Sequence, residues 1–216
     1  MKIFLDTANM DQIKHGVKMG VVAGVTTNPS LTAKEGNADY EAFSKQICSI
    51  VPGPVSVEVL VESVEGMIQQ GRQIAKWAPN VVVKIPSTME GLEATKTLSK
   101  ENIKVNMTLC FSVNQAILAG LAGAAYVSPF IGRLDDIGDD GMKLVEDIVK
   151  VFDHYKFNTE VIAASIRHPQ HCVQAAKVGA HIATIPYAVL LQMTQHPLTT
   201  IGISRFLADW QKVAKK

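Results

Sequence analysis

In the run VVVKIP, residues 81 to 86, Lys84 interrupts what is otherwise a continuous apolar strand. An amine set among Val83 and Ile85 is desolvated, which disfavours the ammonium and favours a neutral, nucleophilic form. Imine formation with a carbonyl requires such an amine. The plainer readings are a structural ion pair with Asp6 or Glu58, or a lysine that snorkels to the surface. Those two carboxylates also suit acid–base work. Building an imine needs a proton delivered to a departing hydroxyl, and breaking a carbon–carbon bond needs a base on a substrate hydroxyl.

Further polar residues fall near the ends of similar β-branched runs: Thr26, Thr27 and Asn28; Asn106 and Thr108; Ser128 and Arg133; Ser165 and Arg167. Arg133, Ser165 and Arg167 offer guanidinium forks and a hydroxyl of the kind that bind phosphate. Taken singly, each has an ordinary reading: Asp6 and Ser165 as helix caps, Asn28 before Pro29 as a turn, Thr108 as a strand former. Their recurrence at almost every run favours a common site, because charged groups such as Asp6, Glu58, Lys84 and Arg133 are seldom buried without partners.

Other constellations are weaker. His168 and His171 lie three apart, but His168 precedes Pro169 and no third ligand stands nearby, so no metal site is expected. The acidic stretch from Asp135 to Asp147 fails as a calcium loop, with Gly138 at the third position counted from Asp136 and Asp147 where a glutamate is required.

The elements that must position these groups alternate along the whole chain. Strand-like runs occupy 3 to 6, 21 to 27, 55 to 60, 81 to 86, 104 to 109, 126 to 130, 160 to 165 and 181 to 186. Helix-like segments lie between them at 11 to 19, 40 to 51, 64 to 77, 91 to 98, 113 to 121, 141 to 154 and 169 to 178, with one more at 188 to 194. Eight units in 216 residues leave about 27 residues each, enough for a strand, a loop and a helix. The pattern predicts a single α/β domain over residues 1–216, a closed (β/α)8 barrel with its site at the C-terminal mouth of the strands. A doubly wound open sheet is the alternative, but no strand is followed by GxGxxG or a Walker-type loop. Residues 203 to 215 read as an extra amphipathic helix with Phe206, Leu207, Trp210 and Val213 on one side, a stripe that needs another surface.

Composition excludes several function classes. Hydrophobic residues make up 47% and charged residues 19%, so a folded core is expected. The 21 Lys and Arg nearly cancel 20 Asp and Glu, with no basic run to track nucleic acid or an anionic membrane. The N-terminus lacks a signal-peptide core, and Cys48, Cys110 and Cys172 form no CxxC pattern. The expectation is a cytoplasmic protein with reduced, packed thiols.

The stretches FLDTAN (4 to 9), GVTTNPS (24 to 30), VSVEV (55 to 59), VVVKIP (81 to 86), NMTLCFS (106 to 112), YVSPFIGRLDD (126 to 136) and AASIRHP (163 to 169) together resemble the small single-domain transaldolases, a family that includes the fructose-6-phosphate aldolases. The resemblance implies a TIM barrel in which Lys84 forms a Schiff base with a ketose donor. It implies Asp6 as base on the donor's C4 hydroxyl, and Glu58 as proton shuttle through a water held with Thr108. Asn28, Asn106 and Ser128, with Thr26 beside them, would hold the dihydroxyacetone hydroxyls, and Arg133, Ser165 and Arg167 the phosphate. No metal or organic cofactor is implied, since the protonated imine withdraws the electrons.

In the family pattern transaldolases carry Glu where the aldolases carry Gln, and Phe where the aldolases carry a catalytic Tyr; here Glu58 and Phe130 stand at those positions. The implied reaction is dihydroxyacetone transfer between sedoheptulose 7-phosphate or fructose 6-phosphate and erythrose 4-phosphate or glyceraldehyde 3-phosphate, in the non-oxidative pentose phosphate pathway. The alternative is fructose-6-phosphate aldolase activity, and a binding protein that keeps the fold without turnover is the reading from another class. The family also implies a homo-oligomer, a decamer of two pentamers, with the C-terminal helix in subunit contacts. The loop at Glu35 to Ala38 departs from the family, away from the mapped site.

Overall fold

The period-2 alternation of the apolar runs turns one set of side chains towards the helices and the other towards an enclosed interior. The computed structural model describes residues 1–36 and 39–214, so Asn37 and Ala38 of the divergent loop and Lys215 of the terminal helix lie outside the described residues. Eight parallel strands, β1 (Lys2–Asp6), β2 (Val22–Thr26), β3 (Val55–Glu58), β4 (Val81–Pro86), β5 (Val105–Cys110), β6 (Tyr126–Pro129), β7 (Glu160–Ala163) and β8 (Ile182–Ile185), pair in sequence order, and β8 returns to β1 to close a (β/α)8 barrel.

Around it run α1 (Met10–Lys18), α2 (Pro29–Lys34), α3 (Tyr40–Ile50), α4 (Val64–Ile74), α5 (Met89–Lys100), α6 (Val113–Ala122), α7 (Ile131–Asp135), α8 (Gly141–Tyr155), α9 (Pro169–Lys177), α10 (Tyr187–Met193) and α11 (Pro197–Ala214). Asn9, Asn28, Ser63, Thr88, Ser112 and Asp140 each accept a hydrogen bond from a backbone N–H of the first helical turn, which stabilises each helix start by about 1 kcal/mol.

The helix-facing side of the sheet carries Leu5, Val57, Val83, Ile85, Met107 and Val127, all sealed from solvent against residues such as Ile13, Ile47, Ile74, Leu98 and Ile148. Each such side chain contributes about 1.5–3 kcal/mol by leaving water. The interior is layered. Phe4, Val82, Tyr126, Ile162 and Ile182 form a separate apolar plug at its base. Gly24 makes room for this plug, since a Cβ there would come within 2.7 Å of the Phe4 ring. Two residues further along the same strands stand Asp6, Lys84, Ser128 and Thr184, so the inward face changes from apolar to polar towards the C-terminal mouth.

Several boundaries differ from the sequence expectation. The short helices α2 and α7 were not anticipated, because PSLTAK and IGRLD are too short to show a 3.6-residue period. The terminal helix, expected from 203, begins at Pro197: proline fits a first helical turn, while Thr199, Thr200 and Gly202 weaken the helical signal there. Its Leu198, Phe206, Leu207, Trp210 and Val213 remain exposed. Strand β7 stops at Ala163 rather than 165, just before Ser165 takes a left-handed backbone with φ of 58°. Asp6 and Ser165 are not helix caps; Asn9 and His168 hold those positions for α1 and α9.

Candidate active site

The β3–β4 register places Glu58 beside Lys84, and the β4–β5 register places Asn106 on the other flank. Lys84 is 5% exposed. Its Nζ lies 2.9 Å from Glu58 Oε2 and donates to the Thr27 carbonyl at 3.0 Å. Of the two carboxylates that could have partnered the lysine, Glu58 makes the direct contact. At 2.9 Å the two groups are close enough for a proton to pass between them.

Asp6, at the end of β1, accepts a hydrogen bond from Thr26 Oγ1 at 2.8 Å. The Thr26 hydroxyl also lies 2.6 Å from Thr184 Oγ1. With its single proton given to Asp6, Thr26 must accept from Thr184, which sets the direction of a Thr184–Thr26–Asp6 chain. Burial pushes the Asp6 carboxyl above its ordinary value and outweighs the opposing Thr26 hydrogen bond and Lys84 charge, with Glu58 adding to the rise. Asp6 is therefore a carboxylate made more basic at the mouth of the barrel.

A second polar chain crosses the floor. Ser128 Oγ donates to Asn106 Oδ1 at 2.7 Å, and Asn106 Nδ2 donates to Ser56 Oγ at 3.1 Å. Asn28 accepts from Leu31 N at 2.9 Å through its Oδ1, capping α2 where a turn before Pro29 was the ordinary reading, and it also borders the cavity. The Thr108 hydroxyl is buried with no protein hydrogen-bond partner among the described residues, although a buried hydroxyl normally has one. It borders the same cavity and can serve a bound molecule.

At the rim, the Arg133 guanidinium sits 5.1 Å from the centre of the Phe130 ring, a cation–π contact, and Phe130 meets Phe111 edge-on at 5.7 Å. Arg167 pairs with Asp136 at 2.7 Å. Gly132 admits the Arg167 side chain, since a Cβ there would fall 2.5 Å from its Nε. Two rim residues hold left-handed backbone, Ser165 with φ of 58° and Leu109 with φ of 56°, the latter where the β5–β6 register breaks. His171 is buried, with its Nε2 3.0 Å from Asp135 and its Nδ1 accepting from Arg167 N. Burial holds its pKa below the ordinary histidine value. Asp136, Asp140 and Asp147 of the acidic stretch are engaged with Arg167, the α8 N-terminus and Lys143.

One cavity is thus bordered by Asp6, Thr26, Asn28, Lys84, Asn106, Thr108, Ser128, Phe130, Arg133, Ser165 and Arg167, and Glu58 reaches it through Lys84. The sequence reading missed Thr184 and Ser56, which border or brace this group. Both were visible as polar residues at inward positions of IATI and VSVE. The three cysteines are free and buried, and burial raises the Cys48 and Cys110 thiols to about 11, as inert packing groups.

Residues 3–216 match the family model described as Transaldolase/Fructose-6-phosphate aldolase. A protein of Dehalococcoides mccartyi named "Probable transaldolase" is 64% identical over 216 residues, covering 100% of both chains. One of the same name from Thermoanaerobacter sp. is 58% identical, again over 100% of both. Among solved structures, 2,3-dimethylmalate lyase superposes with a TM-score of 0.57 at 13% identity, covering 100% of this chain and 82% of that one, a likeness of fold alone.

Proposed function

Because the chain belongs to the transaldolase/fructose-6-phosphate aldolase family, we propose that it is a transaldolase that moves a dihydroxyacetone unit between sugar phosphates through an imine on Lys84. The observation that carries this reading is the largely buried Lys84–Glu58 pair at 2.9 Å, with Asp6 in the same inward layer. Glu58 takes the proton from Lys84, the free amine attacks the C2 carbonyl of the ketose, and Glu58 returns the proton to the departing hydroxyl as water leaves. Asp6 then removes the C4 hydroxyl proton, the C3–C4 bond breaks, and its electron pair is drawn into the protonated imine to give an enamine. The aldose departs. An acceptor aldehyde is attacked by the enamine, Asp6 returns its proton to the new alkoxide, and hydrolysis frees Lys84.

Asn28, Asn106 and Ser128 suit the hydroxyls of the three-carbon unit, and Thr108 suits the water exchanged at C2. Arg133 suits the phosphate directly, whereas Arg167 must share or exchange Asp136. The fitting donors are sedoheptulose 7-phosphate and fructose 6-phosphate and the fitting acceptors glyceraldehyde 3-phosphate and erythrose 4-phosphate, as in the non-oxidative pentose phosphate pathway of the cytoplasm. No described helix is long and apolar enough to cross a membrane.

The second reading, an aldolase releasing free dihydroxyacetone, needs an acid to protonate the enamine. Phe130 borders the cavity but has no proton to give. Release of glyceraldehyde 3-phosphate from fructose 6-phosphate should therefore depend on added erythrose 4-phosphate. Phe130→Tyr should raise the acceptor-independent release by tenfold or so. Equal release by the wild type with and without acceptor would make it an aldolase.

The exposed apolar face of α11 supports assembly with further copies of this chain. A chain ending before Pro197 should scatter light as a smaller particle; an unchanged particle mass would refute the role of the helix.

A further inference from the structure

Strand β3 carries Glu58 at its last residue, beyond the end of its pairing with β2. Pairing between β2 and β3 extends only over Val25 with Val55 and Thr26 with Ser56, and Thr27 N–H to the Ser56 carbonyl at 3.1 Å is its last bond. Parallel strands direct the backbone groups of alternate residues to opposite neighbours. Those of Val55 and Val59 reach towards β4, through Asn80 and Lys84. Those of Ser56 and Glu58 therefore face β2, which has ended before it can pair with Glu58.

Both orphaned groups are met by one side chain. The Tyr40 hydroxyl, at the first turn of α3, donates to the Glu58 carbonyl at 3.0 Å and accepts from the Glu58 N–H at 3.1 Å. A phenol can do both with its one proton and its lone pairs. Its ring meets Trp77 edge-on at 5.7 Å and 86°, which anchors it from the far side. Burial raises the phenol's pKa, so it remains protonated and keeps its donor. Tyr40 does not border the cavity that holds Lys84.

We infer that Tyr40 is a positioning residue: by completing the ladder at the end of β3 it fixes the backbone from which Glu58 meets Lys84. The inference rests on the imine chemistry proposed above for Lys84. An ångström of drift in Glu58 would slow the proton transfers of imine formation while leaving the contacts to sugar hydroxyls and phosphate in place.

The test compares the wild type with Tyr40→Phe, using borohydride to trap the imine formed with fructose 6-phosphate and mass spectrometry to follow its rate on Lys84. Tyr40→Phe should slow trapping and lower kcat together by about tenfold, with KM within about twofold of the wild type. A purely structural loss would instead lower the amount of folded enzyme and leave the rate per active site unchanged. Trp77→Leu, which loosens the ring and keeps the hydroxyl, should give a smaller fall in the same rate, at least twofold, and serves alone if Tyr40→Phe does not fold. Wild-type trapping rates in whichever variant folds would overturn the inference. A wild type that traps no imine would instead defeat the functional reading.

Discussion

Lys84→Met is expected to abolish the trapped imine and reduce turnover by at least about 10⁴-fold, because it deletes the proposed nucleophile and not one of several aids to it. The same change should destabilise the protein. The Glu58 side chain is 15% exposed and faces Lys84 at 2.9 Å, so methionine leaves a nearly buried carboxylate without its counter-charge. Removing one partner of a buried pair costs about 3–5 kcal/mol. Adding Glu58→Gln removes the stranded charge, so Lys84→Met/Glu58→Gln should regain most of the lost stability in urea unfolding and none of the activity. A double variant no more stable than Lys84→Met would show that the Lys84–Glu58 contact is not what couples the two residues.

For Asp6→Asn, activity and stability should move in opposite directions. Loss of the proposed base on the C4 hydroxyl should cost about 10²–10⁴-fold in turnover, while an imine on Lys84 should still form and be trapped. Asparagine can still accept the Thr26 hydroxyl bond, so little packing is lost. Burial raises the Asp6 carboxyl in the folded state, so ionising it costs more there than in the unfolded chain. That cost is fully present above the folded-state pKa and vanishes below the ordinary carboxylate value. Asp6→Asn should accordingly be the more stable protein at neutral pH, with the advantage closing as the pH falls. A stability gap that widened with acid would mean that the carboxylate is favoured, not penalised, by its site.

Much of the fold could be read from period-2 runs such as VVVKIP and VSVEV, because inward and outward positions alternate visibly and helices fill the gaps between runs. Lys84, Asp6 and Glu58 stood out because charge at an inward position is costly. What could not be read was pairing in space. Either carboxylate could have met Lys84, and the register of β3 against β4 decided for Glu58. Thr184 reads like any strand threonine until β8 closes against β1 and turns it towards Thr26. Tyr40 lies 18 residues before its partner, and only the early end of β2 gives its hydroxyl a task.

The left-handed backbone at Leu109 and Ser165 has a consequence for how this barrel could drift over generations. A residue with a Cβ held there forgoes about 1–3 kcal/mol that glycine would not. The rim of the cavity thus carries stability forgone at two positions. Lineages that abandoned the reaction would be free to relax at these two positions first, becoming sturdier as they became idle.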